Sequence, residues 1–313
     1  MELIKVSLKT IEQFNTLPLE QMITCIGEFD GIHIAHQELF NKTLISAQEK
    51  KLKSCVVTFY PHPDYVLKLR NDDTYLTPLS EKEQIISSFG FDYLIVINFD
   101  LELASLNYQT FFELFLKRFE KIVVGFDFSF GSRGTGKVKE LMQLHKNVCV
   151  VNCLEYNNKK IGSELIRQLL NKGNIKEVNY LLGRNYYVRG IVSGGSRIGR
   201  KIGYPTANIS IDKEFQLFKE GVYAIIITIE SIQYLGIANF GTNPSFNKVD
   251  APRLEVFIFN FNSNIYNDDV KVELLEYIRE EKTFKDKEEF KEELQNNCKY
   301  VEEKYGENLW IFY

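Results

Sequence analysis

The sequence predicts an α/β protein in two parts: a parallel sheet flanked by helices, then an antiparallel barrel closed by a helix. Three observations carry this. Up to about residue 180, apolar strands alternate with helical patterns, and strands apolar on both faces belong to a sheet covered on both sides. Beyond it, short β-rich runs are separated by Gly, Asn, Asp and Pro turns, the spacing of a barrel. A charged amphipathic stretch over 285–305 then closes the chain. There is no low-complexity linker and no internal repeat.

The elements follow in order. "MITCIGEF" (22–29) reads as a strand running into Gly and Asp. "IHIAHQELFNKTLISAQEKK" follows as an amphipathic helix with Ile34, Leu39, Leu44 and Ile45 available to one face. "KSCVVTF" (53–59) is a second buried strand, ended by "PHP". A helix over 80–89 takes Ser80 as N-cap, with Glu83 completing a capping box. Strand 92–99, helix 107–119 and strand 121–128 complete the alternation. In such sheets ligands sit beyond the carboxyl ends of the strands. "GEFDG", "PHP" and "GFDFSFG" all fall there, so one crevice can collect them. The barrel runs are "YYVRGIVS", "GVYAIIITI", "QYLGIANFG", "RLEVFIFNF" and "VKVELLEYI".

Composition narrows the function classes. The 313 residues are 44% hydrophobic and 26% charged, which is globular rather than disordered. The 24 Phe and 17 Tyr suffice for large cores or ring-stacking pockets. A formal charge of −4 argues against a dedicated nucleic-acid binder, whose phosphate contacts need a basic face. The five cysteines are odd in number and contain no CxxC pair, which points away from structural zinc and toward a reducing compartment. Neither a basic-then-apolar leader nor an apolar run of about 18 residues occurs. The expectation is a soluble cytoplasmic protein.

Only four histidines occur, and two of them, His33 and His36, share one helical turn after the Phe-Asp-Gly turn. On spacing alone they are surface histidines or half of a metal site. Strand, Gly-x-Phe-Asp-Gly turn and helix start together make a phosphate grip, in which backbone N–H groups and imidazoles donate. "GSRGTGKV" (131–138) has the spacing of a phosphate loop, but Val138 stands where Ser or Thr would hold magnesium. It reads as a glycine-basic loop whose Arg133 and Lys137 can reach an anion. In "GGSRIGRKIGYPTANI" (194–209), glycines and basic residues can wrap polyphosphate, and Thr206 and Asn208 offer hard oxygen ligands suited to magnesium. A plain Gly/Pro turn into a strand fits those residues equally well.

These stretches resemble the bacterial bifunctional riboflavin kinase/FMN adenylyltransferases (FAD synthetases), nearly end to end. The N-terminal matches are "GEFDGIHIAHQ", "VVTFYPHP", "YLTPLSEKEQ", "VGFDFSFG" and, more weakly, "IGSELIRQLL". The C-terminal ones are "GRKIGYPTANI", "GVYA", "GIANFGTNPSF" and "LEVFIFNF". The resemblance implies a Rossmann-like nucleotidyltransferase domain (1–180), then a six-stranded antiparallel riboflavin kinase barrel (181–313). It implies that Thr206 and Asn208 hold Mg2+ with ATP, and that Glu255 takes the proton of the ribityl hydroxyl. Gly199, Lys201, Gly203 and Pro205 would line the ATP phosphates, with Asn239 and Arg279 on the flavin. In the other domain, His33 and His36 would steady charge at the α-phosphate. Gly27, Phe29, Asp30, Gly31, Ser163 and Arg167 would hold ATP or its phosphates, with Asp127 and Phe128 on the flavin. The substrates implied are riboflavin, FMN, FAD and ATP, with no nucleic acid or membrane partner.

Departures from the family pattern concentrate in the first domain. Ala35 replaces the Gly of the histidine motif, and Gly162, Glu164 and Leu165 replace a Ser, a Thr and an Arg. Glu164 would repel polyphosphate. In the second domain, Ser245 for Thr is mild. Two further readings therefore stand beside the bifunctional enzyme. One is a kinase whose first domain is impaired or altered; the other is a flavin-binding protein without turnover.

Overall fold

The computed structural model describes residues 1–193, 206–241 and 253–306. The chain divides into two compact units, Met1–Leu165 and Ile166–Tyr313.

The first unit is built on a six-stranded parallel sheet. Its strands are β1 (Glu2–Val6), β2 (Met22–Ile26), β3 (Lys53–Tyr60), β4 (Tyr93–Asn98), β5 (Lys121–Gly125) and β8 (Val148–Val151), ordered β1-β4-β3-β2-β5-β8. The edge strands β1 and β8 extend the four read from the sequence. Successive side chains go to opposite faces, so Cys55, Val57, Ile95 and Ile97 enter one core and Val56, Leu94 and Val96 the other. Helices α1 (Ile11–Asn15), α6 (Tyr108–Phe115) and α7 (Val138–Leu144) feed the first core through Phe14, Phe111, Phe115 and Leu141. Helices α2 (Ile34–Lys50) and α4 (Leu79–Ser88) cover the second. Two-residue strands β6 (Ser129–Phe130) and β7 (Gly136–Lys137) form one hairpin, and β9 (Glu155–Tyr156) and β10 (Lys159–Lys160) another. Short helices α3 (Pro63–Val66) and α5 (Leu101–Ser105) follow β3 and β4.

Several expectations shift. Ser80 is not the N-cap of α4: Pro78 is, and the helix begins at Leu79. That phase sends Lys82 inward at 2% exposure, where its Nζ donates to the Glu28 carbonyl at 2.6 Å. Ile45 of α2 is exposed, because Leu39, Phe40, Thr43, Ser46 and Ala47 make the buried face. The strands expected to reach 29 and 128 stop at Ile26 and Gly125, leaving "EFDG" and "FDFS" as turns at the strand ends.

The second unit opens with α8 (Ser163–Lys172), whose first residues belong to the first unit, and α9 (Ile175–Leu182). A closed antiparallel barrel follows, ordered β11-β12-β15-β14-β13-β16. Its strands are β11 (Tyr186–Ser193), β12 (Thr206–Ile211), β13 (Gly221–Ile229), β14 (Ile232–Gly241), β15 (Arg253–Ile258) and β16 (Asp269–Arg279). Helix α10 (Lys287–Tyr305) is capped by Asp286, which accepts from the amides of Glu288 and Glu289 at 3.0 and 2.9 Å. Its Val301 packs with Val222, Ala224, Ile237 and Phe257 on the outside of the barrel. A four-way clasp on Glu276 of β16 adds to this, with Lys176, Lys304, Tyr300 and Tyr305 all bonding its carboxylate.

Candidate active sites in the two units

From β2 the chain passes to β3 on one side, while β5 lies on the other. Ligands favour the crevice at such a switch point, and the "GEFDG" turn leaves β2 there. Phe29, Gly31 and Ile32 have φ of 51°, 86° and 43°, a region glycine enters freely and Phe or Ile seldom does. Strain of this kind persists only where surroundings over-determine it. Here Gly27 N donates to Val57 O at 3.1 Å, and Thr58 and Lys82 both donate to Glu28 O. The Asp30 carboxylate accepts from Thr77 N at 3.2 Å, and Ser163 Oγ donates to Asp30 O at 2.8 Å. Asp30 is 2% exposed, so it anchors the turn from beneath.

The turn delivers the two histidines. His33 is the N-cap of α2, and its Nδ1 accepts from the backbone N–H of His36 at 3.3 Å. An accepting Nδ1 leaves the ring proton of neutral His33 on Nε2, a hydrogen-bond donor. The two rings stack with centroids 3.6 Å apart, and Phe29 meets His36 edge-on at 5.2 Å. Burial, reinforced by His33, Lys82 and Lys160 nearby, holds His36 well below the usual histidine range. His36 Nδ1 has no hydrogen-bond partner among the described residues.

Both rings line a cavity of about 1010 Å³ that also takes in Gly27, Phe29, Ala35, Asp127, Phe128 and Ser163. "GEFDG", "PHP" and "GFDFSFG" do meet in one crevice, through Gly27, Pro63 and Asp127. His62 itself caps α3, accepting from Asp64 N at 3.1 Å, and burial lowers it to about 4. The "GSRGTG" stretch is no phosphate loop: it is a tight turn between β6 and β7, although Arg133 and Lys137 line the cavity. Asp127 is paired with Lys160 of β10, whose ammonium also lies 5.4 Å from the Phe126 ring centroid. Phe128 stacks on Phe130 at 5.5 Å.

Of the departures, Ala35 lines the cavity, and a side chain at Gly162 would meet open space. Glu164 is exposed in the first turn of α8 and is not among the cavity residues; a carboxylate there suits the positive helix end. Arg167 lies within Ile166–Tyr313, where it donates to Gln216.

In the barrel, register places Asn208 opposite Glu255, and Glu255 opposite Asn239. Directly opposed residues share a sheet face, so three polar side chains stand in a row across β12, β15 and β14. Their neighbours Leu254 and Val256 are fully buried on the other face. Thr206, opposite Phe257, lies two residues from Asn208 on the row's own face. Burial holds Glu255 above the ordinary carboxylate range, with Arg253 opposing and Glu281 reinforcing. Arg279 pairs with Glu293 of α10 at 2.9 Å and lies over the Phe284 ring. Gly199, Lys201, Gly203, Pro205 and Ser245 lie outside the described residues.

The sequence reading missed Lys82, Lys160 and the apolar rim of the cavity, where Leu69 and Leu101 are 73% and 67% exposed. Lys82 carried a signal within "SEKEQ". The rim leucines come from separate segments, Leu69 from the stretch after α3 and Leu101 from the start of α5, and carried none.

A parallel α/β unit with a histidine cap over a switch-point cavity, and a barrel with a Thr/Asn/Glu face, define a nucleotidyltransferase joined to a barrel kinase. Family models agree: FAD synthetase matches residues 17–165 and riboflavin kinase residues 182–305. The chain belongs to the bifunctional riboflavin kinase/FMN adenylyltransferase family of flavin-cofactor biosynthesis. Relatives bearing that name are 34% identical in Listeria monocytogenes (84% of this chain, 85% of the relative) and 33% in Bacillus subtilis (88% and 90%). One from Buchnera aphidicola is 36% identical, over 91% and 93%. A solved structure described as a macrolide-efflux protein from Streptococcus pneumoniae matches with a TM-score of 0.86 at 31% identity, covering 95% of this chain and 98% of that one. No helix among the described residues is long and apolar enough to cross a membrane. With both family domains present, a chain reduced to the kinase is not favoured.

Proposed function

We propose that the barrel phosphorylates riboflavin to FMN and that the α/β unit adenylylates FMN to FAD, releasing pyrophosphate. The observation that carries this is the Asn208–Glu255–Asn239 row in one unit and the stacked His33–His36 pair over a cavity in the other. Each unit thus has its own chemistry.

In the barrel, Glu255 accepts the ribityl hydroxyl proton as that oxygen attacks the γ-phosphorus of ATP, the bond to the bridging oxygen breaks and ADP leaves. A carboxylate of raised proton affinity suits a general base. Thr206 and Asn208 present hydroxyl and amide oxygens, the hard donors Mg2+ takes, and the ion supplies charge neutralisation on ATP. In the α/β unit, His33 Nε2–H and the His36 ring donate to the α-phosphate as the FMN phosphate attacks. Backbone N–H groups at the start of α2 add to the attraction for anions. Positioning and electrostatics suffice, with no covalent intermediate. The rim residues Leu69, Leu101 and Phe126 suit the flavin ring, beside Asp127 and Phe128. Dependence on metabolic ATP supports a cytoplasmic setting.

The test is purified protein with riboflavin, ATP and magnesium, products separated by chromatography. FMN followed by FAD is expected. FMN alone would restrict activity to the barrel, and no flavin product would refute the proposal.

A further inference from the structure

Beside the polar row of the barrel lies a further carboxylate. Glu281, two residues past the end of β16, accepts a hydrogen bond from Asn239 Nδ2 at 2.9 Å. Its two oxygens also lie against Gly241, where a Cβ would stand 2.3 and 2.6 Å from them. Asn239 and Gly241 are two apart on β14 and share one face. Glu281 therefore lies along that face, beside Glu255 and Arg253, which register places opposite Asn239 and Gly241. Only a glycine at 241 lets the carboxylate come so close.

The consequence falls on Asn239. A side-chain amide has two unlike ends, an NH2 that donates and an oxygen that accepts. A carboxylate only accepts, so the NH2 of Asn239 turns to Glu281 and its Oδ1 turns away. We infer that Glu281 is a positioning residue of the kinase site. It fixes the Asn239 amide so that an acceptor faces the flavin substrate, which must place a hydrogen-bond donor, a hydroxyl or a ring N–H, against it. This rests on the reading of that barrel face as the riboflavin site.

Steady-state kinetics on the full chain test it. Glu281→Met keeps side-chain length and removes the acceptor, while Glu281→Gln keeps an acceptor oxygen for Asn239. Asn239→Ala and Glu281→Met should each raise the riboflavin KM roughly tenfold, the scale of one lost hydrogen bond in a coupled pair. Glu281→Gln should stay near wild type. The ATP KM and FAD formation from supplied FMN should not move in any of them. The double variant Asn239→Ala/Glu281→Met should show a riboflavin KM no worse than either single one, because Glu281 reaches riboflavin binding only through Asn239. Gly241→Ala, whose Cβ would displace the carboxylate, should reproduce part of the Glu281→Met effect. A wild-type riboflavin KM in Glu281→Met, or multiplicative effects in the double variant, overturns the inference. A wild-type KM in Asn239→Ala would refute the flavin reading of the face, and the inference with it.

Discussion

His33 performs two functions that one pair of substitutions separates. As the N-cap of α2 it accepts the His36 amide through Nδ1, a contact worth about 1 kcal/mol. As a cavity residue it offers Nε2–H to a phosphate, and losing one such transition-state contact costs on the order of 10²–10³-fold in rate. Asparagine is among the favoured N-caps but is too short to reach where the imidazole Nε2 stands. His33→Asn should therefore melt close to wild type while FAD formation from supplied FMN falls about 10²–10³-fold. His33→Ala should lose the same rate and, in addition, about 1 kcal/mol, or roughly 2–4 °C in melting temperature for a unit of this size. Riboflavin phosphorylation is the internal control, since Glu255, Thr206 and Asn208 belong to the other unit. The assay follows FAD and FMN separately by chromatography, with thermal unfolding alongside. If His33→Asn makes FAD at the wild-type rate, the stacked pair is a helix cap and nothing more. If FMN formation falls in step with FAD, the damage is global and the assignment of separate sites fails.

Glu255→Gln preserves shape but cannot take a proton, so FMN formation should fall roughly 10²–10⁴-fold with FAD formation from FMN intact; near-normal FMN output would remove Glu255 as the base. Thr206→Ala with Asn208→Ala should raise the magnesium concentration needed for half-maximal kinase activity, and an unchanged magnesium titration would take both residues out of the metal site. At the Glu276 clasp, burial alone would raise the carboxyl, but bonds from Lys176, Lys304, Tyr305 and Tyr300 outweigh it and hold it at about 2. A folded value below the unfolded one means the stabilisation is full above the unfolded pKa and is lost as pH falls toward the folded one. Acid unfolding of the wild type should show this loss between about pH 5 and 2, and Glu276→Gln should lose up to a few kcal/mol at neutral pH and flatten that limb. A parallel acid limb in the variant would show the clasp to be weak.

Local pattern was enough to determine much of this protein. Apolar strands alternating with helices announce a covered parallel sheet, and the Gly-Asn-Asp-Pro spacing announces a barrel, because side-chain periodicity reports burial directly. The histidine pair was legible for a related reason: His33 and His36 sit three apart at a helix start, and both the cap bond and the ring stack act over that same interval. Thr206, Asn208 and Glu255 were legible as motif residues, but not as neighbours. Only the barrel registers set Asn208, Glu255 and Asn239 side by side, since pairing brings together residues separated by tens of positions.

What escaped the sequence was whatever depends on the far side of a contact. Ser80 has the chemistry of an N-cap, yet α4 starts a residue earlier at Leu79, in the phase that carries Lys82 to the Glu28 carbonyl. Glu164 looks like a repelling charge in the motif, yet the phase of α8 leaves it exposed. Lys160 meets Asp127 from the β9–β10 hairpin, and Glu281 meets Asn239 from beyond the end of β16. Periodicity records whether a side chain is covered, and that is a property of its own segment. Which group covers it, at what distance and with what charge, is set by segments remote in the chain, and only the folded structure decides it.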